Sequence, residues 1–99
     1  MAKTLKRFTP YDLLEIALKS AENNIINSQQ FKEFFDVDFT FLQLCQSLTK
    51  KKIWNKIVLT KEEYGIIKDN LYDKERIIKL LKEVKQRNTI TIANFEQKN

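Results

Sequence analysis

Lys50, Lys51 and Lys52, followed by Trp54 and Lys56, form the densest group of side chains in this 99-residue sequence that suits contact with another molecule. Between residues 39 and 60 no acid answers these four lysines. Ammonium groups at such density suit phosphates, because each phosphate neutralised releases condensed counterions and makes affinity fall with salt. An aromatic side chain, Trp54, stands beside this phosphate-contacting patch. The same run also fits the solvated end of a helix, where cations meet the negative end of the dipole. Both readings stay open at the level of sequence.

Other chemistries are limited by what the chain lacks. It has no histidine, so the commonest general base and metal ligand is missing. Cys45 is the single cysteine, which excludes an internal disulfide and a thiolate–imidazole pair. It falls on an apolar helical stripe and reads as a small buried hydrophobe. The single glycine, Gly65, cannot build a phosphate-cradling loop. Asp36 and Asp38 could share a cation with Glu33, but helix-break and capping roles account for both aspartates. Glu62 and Glu63 sit where carboxylates favour a helix N-terminus. The expectation is a non-enzymatic protein with no catalytic residues, metal or cofactor, and no small-molecule substrate.

The remaining bulk properties set the class. Apolar residues make up 42% of the chain, with one Gly and one Pro. All-β folds draw on both for tight turns, so a mainly α domain is expected. No apolar run is long enough for a bilayer span or a signal peptide, which points to no membrane partner and a cytoplasmic location. Abundant Lys, Ile and Asn fit a bacterial, phage or plasmid origin.

The net charge of +5 is unevenly placed. Residues 1–8 carry Lys3, Lys6 and Arg7 with no acid. Residues 10–38 net −4, residues 39–60 net +4, residues 61–75 net −2 and residues 76–99 net +4. Acidic stretches therefore alternate with basic ones.

These stretches must be positioned by about five helices. Residues 1–8 read as a flexible basic arm, 9–95 as one helical domain and 96–99 as a frayed tail. Thr9, Pro10 and Asp12 predict a capped first helix ending near Asn23-Asn24. Ser28 opens a second, with Phe31, Phe34 and Phe35 facing inward. Asp38 is expected to cap a third, from about Phe39 to Lys50, with Phe41, Leu44, Cys45 and Leu48 on its stripe. Thr60 and Glu63 predict a capping box for the fourth, whose face carries Tyr64, Ile67 and Leu71. Asp73 precedes a fifth that buries Ile77, Leu80, Leu81 and Val84. Residues 53–59 read as a short strand or a continued helix. Thr89 to Phe95 alternates as a strand does and would pair with 53–59 in a minor two-stranded element.

Residues 28–48 resemble the helix-turn-helix pattern. Val37 and Asp38 match the apolar and capping positions of its turn, and Leu42 and Cys45 match apolar positions of its second helix. The chain departs from the pattern at Asp36, where Gly is usual, and at Lys32, where a small residue is usual. The resemblance implies that Thr40, Gln43, Gln46 and Ser47 face bases in the major groove. Lys50, Lys51, Lys52 and Lys56 would grip phosphates. Residues 53–59 would act as a wing, and Lys3, Lys6 and Arg7 of the arm would reach a neighbouring groove. The expected function is a small DNA-binding or regulatory module. The alternatives are a protein-binding module, such as a phage- or plasmid-type factor docking on a host protein, and a structural or virion component. A homodimer is compatible with each.

Overall fold

Short-range hydrogen bonds decide where the helices begin. The computed structural model describes residues 7–97, with side-chain positions through residue 89. In order, its elements are α1 (Pro10–Glu22), α2 (Ser28–Phe35), α3 (Phe41–Leu48), β1 (Lys52–Ile53), β2 (Lys56–Ile57), α4 (Lys61–Asp69) and α5 (Lys74–Gln97). Each of the first four helices opens on a reciprocal capping box: Thr9 with Asp12, Asn27 with Gln30, Thr40 with Gln43, and Thr60 with Glu63. In each, a side-chain oxygen accepts an N–H that the first helical turn cannot satisfy. Asp73 does similar work before α5, accepting from the Arg76 N–H at 3.3 Å.

Helix ends use the left-handed region without glycine. Asp36, the C-cap of α2, sits at φ 55°, ψ 46°. It takes the conformation that glycine usually supplies there, and Asp is among the few residues that tolerate it. Asn24 does likewise after α1, at φ 57°.

The core gathers around α1, against which α3 and α5 both pack. Leu13, Leu14 and Ala17 of α1 meet Phe41, Leu44, Cys45 and Leu48 of α3 and Ile77, Leu81 and Val84 of α5 in one buried cluster. Three phenylalanines tie α2 and the following turn into it. The Phe31 ring lies 5.6 Å from that of Phe39, and Phe8 meets Phe39 edge-on at 6.1 Å. The Phe41 N–H donates to the Ile26 carbonyl at 3.0 Å, fixing the start of α3 to the α1–α2 connection.

The mainly α architecture and the minor two-stranded sheet agree with the sequence reading, but several particulars differ. The sheet is a hairpin of its own, Lys52 opposite Ile57 and Ile53 opposite Lys56. It does not join 53–59 to 89–95. Thr89 to Phe95 instead continues α5. Extending an existing helix adds a hydrogen bond per residue with no new nucleation cost. The β-branched residues there oppose it by only a few tenths of a kcal/mol each. Helix α3 is shorter than 39–50, because Thr40 caps it in place of Asp38. Phe34 points outward, 58% exposed, while Phe31 is fully buried. An eight-residue helix can turn only a narrow face inward, and Phe31 and Phe35 occupy it. Leu71 lies beyond the end of α4, in the connection to α5, yet packs on the core.

Candidate nucleic-acid interface

The stretch from α3 through the hairpin is held in place from behind. Leu48 and Ile53 are buried, and so are Val58 and Leu59 where the chain leaves β2. The Val58 N–H donates to the Lys51 carbonyl at 3.0 Å, and the Leu59 N–H to the Leu48 carbonyl at 3.3 Å. From α5, Arg87 Nη2 and Asn88 Nδ2 both donate to the Val58 carbonyl, at 2.8 and 3.4 Å. The hairpin thus projects from a base joined to the end of α3 and to α5.

Between the strands stands a two-residue turn, Trp54-Asn55, with φ of 53° and 67°. Positive φ at both positions is the type I′ arrangement, whose twist matches that of paired strands. Lys52 and Ile57 lie opposite each other, both exposed, and Ile53 turns to the core.

The residues expected to read bases divide into two pairs. Thr40 Oγ1 accepts the Gln43 N–H at 3.1 Å, and Gln43 Oε1 accepts the Thr40 N–H at 2.8 Å. Both side chains are therefore engaged in starting α3. The sequence signal was present, since Thr-x-x-Gln is itself a capping-box pattern. Gln46 is exposed on the same helix and Ser47 is half-buried. Among the described residues the Gln46 carboxamide enters no hydrogen bond. Leu42 is half-buried.

Lys50, Lys52 and Lys56 are exposed and Lys51 is half-buried. Arg7 is exposed just before α1, whereas Lys3 and Lys6 lie outside the described residues. The basic residues of α5 behave differently. Lys85 pairs with Glu15 of α1. Arg87 grips both oxygens of Glu63, Nη1 to Oε2 at 3.0 Å and Nη2 to Oε1 at 2.9 Å. These two cations of α5 answer the acidic helices α1 and α4, whereas Lys50, Lys51, Lys52 and Lys56 form no ion pair among the described residues.

The Arg87–Glu63 pair bears on stability as well. Partial burial pushes the Glu63 carboxyl up, but the hydrogen bond from Arg87, the N–H of the Thr60 cap and the Arg87 charge outweigh it. The net shift is below the ordinary value near 4.5. A carboxyl lowered on folding adds stability that is complete above its unfolded value and lost as pH falls through its folded one. Arg87→Ala is expected to destabilise by about 1–2 kcal/mol at neutral pH, the scale of a partly screened charged hydrogen bond. The gap between wild type and variant narrows as pH falls below about 4.5, leaving the share of the pH-independent bond from Arg87 to the Val58 carbonyl. Urea unfolding of both proteins at neutral and acidic pH measures it; a gap that stays constant with pH overturns the assignment.

Little else in the described residues offers chemistry. Cys45 is fully buried, and burial holds its thiol far above the ordinary range. Glu33, Asp36 and Asp38 do not come together as a metal-binding group; no such group occurs among the described residues. A cavity of about 270 Å³ between the end of α1 and the α4–α5 connection is lined by Ile25, Ile26, Phe41, Leu71 and Ile77 with Tyr72 and Lys74 at its edge, and holds no carboxylate. No described helix is long and apolar enough to cross a membrane. Neither protein-family models, nor curated proteins, nor solved structures give a match to this chain.

Proposed function

We infer that the chain is a small DNA-binding module that sets α3 and the following hairpin against a duplex. One observation carries this reading. A single continuous stretch, from Gln43 to Lys56, presents Gln46, Lys50, Lys52 and Lys56 to solvent, with no acid between residues 39 and 60. Gln46 is the residue suited to a base edge, and Lys50 follows just beyond the end of α3. The four lysines, with Arg7, serve the phosphates. Because Thr40 and Gln43 hold the start of α3, their part is to orient Gln46 rather than to read a base.

Equilibrium titration of a labelled duplex at several salt concentrations tests the reading. Five phosphate contacts, from the four lysines and Arg7, predict a slope of log affinity against log salt of about −4.5. Affinity at low salt no higher than that of a neutral protein of similar size overturns it. A second reading, docking on a protein partner, is favoured by one feature. Phe34 on α2 is 58% exposed and lies against the Phe35 ring at 4.9 Å. Loss of a stoichiometric partner upon Phe34→Ser, with DNA affinity unchanged, would establish that surface instead.

A further inference from the structure

The tip of the hairpin places an unusual residue in an unusual conformation. Type I′ turns ask for φ above zero at both central residues, and Asn, Asp and Gly meet that demand most readily. Asn55 fits. Trp54 does not: at φ 53° it occupies a region that bulky side chains seldom enter. It is the only tryptophan in the chain, and it is 51% exposed. Half of a large aromatic surface is thus held in water, at a backbone position that disfavours it. Strained positions of this kind gather at functional sites. On either side stand Lys52 and Lys56, both exposed.

We propose that the hairpin tip is a stacking platform for an unpaired base, so that the preferred partner is a DNA duplex interrupted by a gap. The proposal rests on the DNA-binding reading of the same surface and specifies the kind of DNA. An indole with cations beside it is the combination that holds single-stranded bases, since every base offers a π face and its backbone offers phosphates. In an intact duplex that face is covered by neighbouring bases, and uncovering it costs energy that an unpaired base has already spent. The alternative use of a tip residue is as a wedge between base steps, for which slimmer side chains such as Leu, Ile, Met, Phe and Pro are usual. A wedge acts on intact duplex and gains nothing from a gap.

Trp54, being the only tryptophan, reports on its own surroundings by its emission. The full chain is titrated at fixed salt with a blunt duplex and with the same duplex carrying a short gap. The gapped duplex is expected to bind about five- to a hundredfold more tightly, the range one stacked base contributes, and to quench the emission. Trp54→Phe keeps most of that preference. Trp54→Gly binds both duplexes at the blunt-duplex level, and its melting midpoint is unchanged or raised because glycine suits the turn. Equal affinity of the wild type for the two duplexes overturns the proposal, whether or not emission changes. So does a preference that survives in Trp54→Gly. In both cases the salt dependence of blunt-duplex binding still upholds the lysine surface. Absence of binding to either duplex at low salt removes both.

Discussion

Replacing Phe39 with alanine is expected to cost about 3–5 kcal/mol, the range for emptying a buried aromatic site. Phe39 is 2% exposed and joins three parts of the chain. Its ring meets Phe31 of α2 on one side and Phe8, ahead of α1, on the other. Truncation removes the burial of the ring and leaves a void where these groups converge, with no side chain in the turn long enough to fill it. Domains of this size have total stabilities at the low end of about 5–15 kcal/mol. The variant is therefore expected to be folded only in part under mild conditions. With a urea slope of about 1–2 kcal/mol per M, the midpoint falls by about 1.5–5 M. Phe34→Ala supplies the control, since that ring points outward and its loss stays within about 0.5 kcal/mol. Equal losses at the two positions would contradict the orientation of α2.

The second large effect concerns binding. The triple replacement Lys50→Ala, Lys51→Ala and Lys52→Ala is expected to flatten the salt dependence of duplex affinity. Three lost phosphate contacts remove about 2.7 from the slope. Over a fourfold rise in salt these contacts account for about 40-fold in affinity, and that share disappears in the variant. None of the three side chains enters a hydrogen bond or ion pair among the described residues, and the melting midpoint serves to show that the fold persists. An unchanged slope would show that these lysines meet no phosphate.

Much of this architecture is legible in the residues, because so much of it is local. Thr9-Pro10-x-Asp12 and Thr60-x-x-Glu63 announce their helices with residues three apart, and the stripe through Leu44, Cys45 and Leu48 announces a buried face. Two expectations fail for different reasons. Asp38 and Thr40 both suit a helix start, and sequence alone does not say which is extended and which already turned. The Gln43 side chain, reaching back to the Thr40 N–H, settles the matter in the structure. Thr89 to Phe95 was misread for a non-local reason. Alternating Thr and Ile is a strand pattern only where a neighbouring strand exists, and that depends on where residues 52–57 go. The hairpin turn hid because its tip lacks the Asn-Gly or Asp-Gly pair that marks such turns. The lysine run was plain from the start. What was not visible is that Lys85 and Arg87, equally basic on paper, are answered by Glu15 and Glu63 across helix boundaries.

The four capping boxes have a consequence for how the chain reaches this state. Each box closes within a span of four residues, so the frame of each helix can be chosen before distant segments meet. What remains is to bring together pieces whose phases are already set. The slowest encounter is then the docking of α5 on α1, which spans most of the chain. The hairpin at residues 52–57 adds little delay, being among the shortest loops a chain can close. Folding kinetics of this kind are typical of sequences dominated by near-neighbour pairing. A polypeptide with one glycine and one proline thereby gets its punctuation from hydroxyl, carboxamide and carboxylate groups, and its search for the native state is shortened by grammar written into the side chains.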